Sequence, residues 1–184
     1  MSDPDSAWHY FVELSLQYYA AGRFAALNRL HRIAPNLVHH AVELILKAVL
    51  VRDHSLEKIK TDYRHDLTRL WKAVTAASPG LLTTRRNQTI ADVAKFEDLR
   101  YPNLLIRQGA TVTVALTSGE NPRVSGSRPT SGPRYQFNLE DIDELWCALF
   151  HNASASPAAF LQNLSAAARA AIDAENQHPI HSRN

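Results

Sequence analysis

A chain of 184 residues, 45% hydrophobic and 21% charged, has the size and composition of one globular domain, which excludes wholesale disorder. Its formal charge of +2, from 20 Lys+Arg against 18 Asp+Glu, is too small to imply nucleic-acid binding by bulk charge, and a single cysteine, Cys147, excludes an internal disulfide or a cysteine-built zinc site. No apolar run approaches the roughly 18 residues of a membrane span, and the polar, acidic start is unlike a basic secretory leader, so a cytoplasmic domain is expected.

Four stretches carry helical periodicity before residue 102. The first is expected from about Asp5 to Arg32, with Trp8, Phe11, Val12, Leu16 and Tyr19 on one stripe. Asp5 or Ser6 suits its N-cap, and Gly22 is expected to break or bend it. The second opens at Pro35, which fits a first turn because its missing N–H has no partner to lose. Leu37, Ala41, Leu44, Ile45, Ala48 and Val49 then recur at three- and four-residue steps, the mark of a core-facing helix. Glu43 and Lys47 sit four apart on it. Exposed, that pair is worth about 0.3 kcal/mol; turned inward, the two charges must pair and would mark a groove.

A third helix is expected from near Asp62, carrying Leu67, Leu70, Trp71 and Val74, with Asp62 as its cap and Asp66 in its first turn, before Ser78-Pro79-Gly80 ends it. A fourth runs from about Thr84 to Leu99 and stops at Tyr101-Pro102, since proline disfavours helix in the residue before it. The period then changes from helical to two. Thr111 to Leu116 alternates and is rich in β-branched residues, so it reads as a strand, with Tyr135 to Leu139 as the return strand of a small hairpin. Helical periodicity resumes with Leu139, Ile142, Leu145, Trp146, Leu149 and Phe150. An alanine-rich helix follows from about Pro157 to Glu175, and the tail 176–184 is expected to fray. The fold class is therefore all-α: one domain, an up-and-down antiparallel bundle of four to six helices. A hairpin and loop insertion interrupts it at 107–138.

Few constellations carry chemistry. His39 and His40 are adjacent and point about 100° apart on a helix, and His178 and His181 lie on a tail with no scaffold, so no metal site and no cofactor are expected. Cys147 falls among Leu145, Trp146, Leu149 and Phe150, where an inert thiol is expected. No glycine-rich phosphate cradle and no Gly-x-Ser-x-Gly elbow occurs. From Leu99 to Asn138 stand Arg100, Arg107, Arg123, Arg128 and Arg134 against Glu120 alone, a local +4 in a chain of +2. Such a loop tracks a phosphate backbone or is simply solvated. Arg100 either ends a helix as a favourable cation or, with the flat ring of Tyr101, holds a phosphate and stacks a base.

Three pieces in order, His40-Ala41-Val42-Glu43-Leu44-Ile45-Leu46-Lys47-Ala48, His65-Asp66-Leu67-Thr68-Arg69-Leu70 and Leu99-Arg100-Tyr101-Pro102, resemble the HEPN family of higher-eukaryote and prokaryote nucleotide-binding domains. The resemblance covers roughly residues 5–102. It implies a helical bundle, usually homodimeric, with a functional groove along the shared helix face. Many members are ribonucleases built on an arginine and a histidine with four to six residues between them. Others are non-catalytic, binding nucleotide or RNA, or supporting a nucleotidyltransferase or toxin–antitoxin partner. The Arg-Tyr-Pro ending belongs with the second pattern, and no histidine follows Arg100 within a dozen residues.

The leading expectation is thus a non-catalytic, homodimeric domain binding RNA or nucleotide. In it Arg100 and Tyr101 contact phosphate and base, His65, Glu43 and Lys47 shape the groove, and Arg107, Arg123, Arg128 and Arg134 extend it. One alternative is a metal-independent ribonuclease using Arg32 and His39, with six residues between them. A further alternative is a pure dimerisation or interaction module. No membrane partner is expected.

Overall fold

The computed structural model describes residues 4–100, 111–117, 123–125 and 132–180. Helix α1 (Pro4–Leu27) turns back into α2 (Ala34–Leu50). The turn is a Schellman closure: the Leu30 N–H reaches the Ala25 carbonyl at 2.8 Å and Arg29 N–H reaches Ala26 at 3.1 Å, with Arg29 left-handed at φ 62°. The two helices are antiparallel and form the largest helix–helix contact in the fold.

Gly22 does not break α1. A Cβ there would stand 2.8 Å from Val38 Cγ2, so the glycine is what lets the two helices approach. Val38 is β-branched and fully buried, and it has little room to yield. Gly22→Ala is expected to lower stability by about 1–2 kcal/mol in urea unfolding, the overpacking strain exceeding the gain in helix propensity. A variant as stable as the parent would contradict this packing.

Helix α2 is the central element. It packs against α1, against α4 (Leu67–Ala77), against α5 (Thr84–Ala94) with its trailing 3-10 turn (Lys95–Arg100), and against α6 (Leu139–Asn152). Val38, Ala41, Val42, Ile45, Leu46 and Ala48 are all buried, so it is covered on more faces than one stripe predicts. Between α2 and α4 lies a short helix, α3 (Leu56–Lys58), which widens into a π turn (Ile59–Tyr63). The expected third helix therefore begins later. Its cap is Asp66, accepting from Arg69 N–H at 3.0 Å, and not Asp62, which lies in the π turn.

The insertion is a three-stranded sheet in the order β2-β1-β3, built from β1 (Thr111–Ala115), β2 (Arg123–Ser125) and β3 (Arg134–Asn138). The antiparallel partner of β1 is β2, whereas β3, expected as the hairpin return, pairs parallel to β1 with Val112 opposite Tyr135 and Val114 opposite Phe137. Alternation dictates which side chains are buried, not strand direction. Tyr135 and Phe137 bury beside Val112 and Val114 in either sense, and Phe137 stacks on Phe96 at 6.0 Å.

Strand β3 runs directly into α6, whose Trp146 stacks on Tyr19 at 4.0 Å and donates to Ser15 Oγ at 2.9 Å. Ser15 in turn donates to the Ala41 carbonyl at 2.7 Å. The expected C-terminal helix is two: α7 (Pro157–Leu161) and α8 (Ala166–Asp173). Ser165 separates them because its hydroxyl caps α8, accepting from Ala168 N–H. Residues 176–180 do not fray. Ile180 is 1% exposed and Asn176 donates to Tyr19 Oη, while 181–184 lie outside the described residues.

Candidate functional site

The site is organised by one buried carboxylate. Because α2 is covered on several sides, Glu43 is only 3% exposed, and a lone charge there would be too costly. The helix supplies its partner: Lys47, one turn on, donates to Oε1 at 2.5 Å. His65, just before the Asp66 cap of α4, donates to the same oxygen through Nδ1 at 3.0 Å. Burial pushes the Glu43 carboxyl up, but the neighbouring His40, Lys47 and His65 side chains outweigh it and hold the pKa at about 2.

The other oxygen faces inward. Glu43 Oε2 stands 3.8 Å from His39 Nε2 and 3.7 Å from His40 Nδ1. A carbonyl only accepts, so His39 Nδ1–H donates to Val93 of α5 at 3.1 Å, which leaves Nε2 as the lone-pair nitrogen, 3.2 Å from Glu97 Oε2. Burial lowers the His39 pKa despite those carboxylates. Glu43 thus ties the core side of α2 to its solvent side.

On the solvent side a cavity of about 760 Å³ opens above Lys47 and His65, a size that suits a small-molecule ligand. Lys47, Lys60, Arg64 and His65 line it together with Phe11, Leu56, Ile59 and Thr61; among the described residues no carboxylate lines it directly, though Asp62 Oδ1 accepts from the lining Thr61 hydroxyl at 3.0 Å. Lys47 is largely covered, whereas the His65 side chain is 60% exposed, with its Nε2 free of Glu43. Among the described residues no carboxylate pairs with Lys60 or Arg64.

The backbone here is unusual too. Arg29, Ser154 and Glu175 have positive φ at helix ends, where the left-handed conformation is ordinary. Arg64 closes the π turn at φ 48°, ψ −111°, outside that well. Strain and π turns both concentrate where function demands a placement.

The expected groove residues Glu43, Lys47 and His65 therefore come together. Lys60, Arg64 and Phe11 are not singled out as site residues by the sequence, although the run Lys58-Ile59-Lys60 before Arg64-His65 carries the signal. Arg134 is exposed at the start of β3, and Arg123 opens β2. The side chains of Arg100 and Arg123, and all of Tyr101, Arg107 and Arg128, lie outside the described residues. Arg32 is exposed in the turn before α2, while His39 is 1% exposed in the bundle interior. Among the described residues no hydrogen bond or ion pair joins them.

The acidic face of α6 is spent within the chain: Arg85 pairs with Glu140 and Asp141, and Arg86 with Glu144. Among the described residues no helix is long and apolar enough to cross a membrane, and no group of three acidic, histidine or cysteine side chains is set to hold a metal ion. A second, apolar groove of about 430 Å³ runs between the α1–α2 turn and α8, where Phe24 and Ile33 are 51% and 53% exposed.

Fold and site together define a mostly helical bundle with a small sheet insertion and, beside α2, a largely apolar cavity that carries basic side chains. Comparison with protein-family models, curated proteins and solved structures finds no match.

Proposed function

We propose that this is a HEPN-like, non-catalytic helical domain that binds RNA or a nucleotide in the cavity between α2 and the π turn. The observation that carries the reading is the grouping of Lys47, Lys60, Arg64 and His65 around one cavity, with no carboxylate lining it among the described residues, beside the apolar wall of Phe11, Leu56 and Ile59. Basic groups hold phosphate and a flat apolar wall accepts a base. Two of the three motif pieces meet here, at Glu43–Lys47 and at His65, which supports the family reading.

A fluorescently labelled oligoribonucleotide is expected to bind the full chain with an affinity that falls steeply as salt rises. Lys60→Ala is expected to weaken it several-fold with helicity unchanged by circular dichroism. Unchanged affinity in that variant, or none in the parent, removes the reading.

The apolar groove favours a second role beside it. Phe24, Leu30 and Ile33 present an exposed apolar surface that suits a protein contact, a second copy in the homodimer reading. Light scattering on a Phe24→Glu variant tests this: a dimer that becomes a monomer supports it, and a parent that is already monomeric contradicts it.

A further inference from the structure

The charges lining the cavity do not balance, and the imbalance says which kind of phosphate fits. Lys47 is neutralised by Glu43 beneath it, and His65 shares the same carboxylate oxygen. Lys60 and Arg64 remain, two fixed positive charges on one turn without a carboxylate partner among the described residues. An internal phosphodiester carries one negative charge and has two of its four oxygens tied into the chain. A terminal phosphate carries about −1.5 to −2 at pH 7 and offers three acceptor oxygens. The second matches both the charge and the donors that Lys60 and Arg64 bring to the cavity wall.

Arg64 gives an independent argument. Its φ of 48° with ψ −111° is a conformation that glycine adopts freely and arginine does not. An arginine held there puts a guanidinium on the cavity wall, and its planar fork can grip a phosphate through two hydrogen bonds.

We propose that this cavity takes a terminal phosphate monoester, as a nucleoside monophosphate or the phosphorylated end of an RNA strand, in preference to an internal phosphodiester. The inference rests on the nucleotide-binding reading above and narrows its ligand.

Calorimetric titration of the full chain separates the two. The probes are adenosine and adenosine 5′-monophosphate, and one hexaribonucleotide carrying a 5′-phosphate, a 3′-phosphate or neither. Phosphorylated probes are expected to bind at least tenfold more tightly than their unphosphorylated counterparts, the mononucleotide or the strand end prevailing according to the source. Arg64→Gly is expected to erase that difference without lowering the thermal midpoint, and Lys60→Ala provides the same readout should the glycine variant fold poorly. Equal affinity with and without a terminal phosphate, for the nucleoside pair and the strands alike, overturns this inference, and strands that still bind leave RNA binding in place. No binding of any probe overturns both.

Discussion

Asp143→Ala is expected to cost about 3–5 kcal/mol in urea unfolding, because it strands a buried cation. Arg23 on α1 is completely buried and donates through Nη1 to Asp143 Oδ2 on α6. Two further donors are held at the α8 end, Nε to the Ala171 carbonyl at 2.9 Å and Nη2 to the Ala174 carbonyl. Tyr19 donates to the other Asp143 oxygen at 2.7 Å. Burial raises the Asp143 carboxyl above its ordinary range even against the pull of Arg23, and burial followed by the Asp143 charge drives the Tyr19 hydroxyl far up.

Removing Asp143 leaves the guanidinium uncompensated, whereas replacing both partners with apolar residues does not. The double variant Arg23→Met, Asp143→Leu is accordingly expected to recover most of the loss. A single variant within about 1 kcal/mol of the parent would show that this clamp between α1, α6 and α8 holds nothing together.

The second large effect is at Glu43, and it depends on pH. The folded-state pKa of about 2 lies below the ordinary 4.5, so the folded state binds its proton later than the unfolded chain does. The stabilisation is complete above about pH 4.5 and is lost as pH falls towards 2. Its size is about 3 kcal/mol at neutral pH. His39 works in the same direction from a higher starting point. Its pKa is lowered from 6.5 by burial, so acidification through 6.5 already favours the unfolded chain. Glu43→Gln, which cannot ionise, is expected to be about 3 kcal/mol less stable than the parent at pH 7, with the gap closing as pH falls below 4.5. A gap that stays constant from pH 7 to pH 3 would mean that Glu43 is not the ionised centre of this cluster.

These two clusters show how unevenly a sequence exposes its structure. The apolar period of α2 and of α6 is plain, and Leu139, Ile142, Leu145, Trp146, Leu149 and Phe150 are all buried as that period requires. The Glu43–Lys47 spacing is equally visible, but not its burial. What encloses Glu43 is packing by α4 and by the turn after α5, some 20 to 50 residues away, and a local pattern does not record it. Arg23 in α1 gives no sign that its partner is Asp143, since that contact spans 120 positions.

Two other features are hidden for local reasons. The parallel pairing of β3 is invisible because alternation is the same in either direction. The π turn is masked by Asp62, which resembles a helix cap yet lies where the helix widens. His65 is legible as a groove residue through the family resemblance, whereas Lys60 and Arg64 owe their placement to that π turn.

A nucleotide site built on Glu43 requires ligand to enter at the π turn. Amide correlation spectra of the labelled chain, recorded as an oligoribonucleotide is titrated in, locate the contact directly. The largest shifts are expected at Ile59, Lys60, Thr61, Arg64 and His65, with Lys47 following across the cavity. Shifts confined to the Phe24–Leu37 groove, or none at saturating RNA, would contradict such a site.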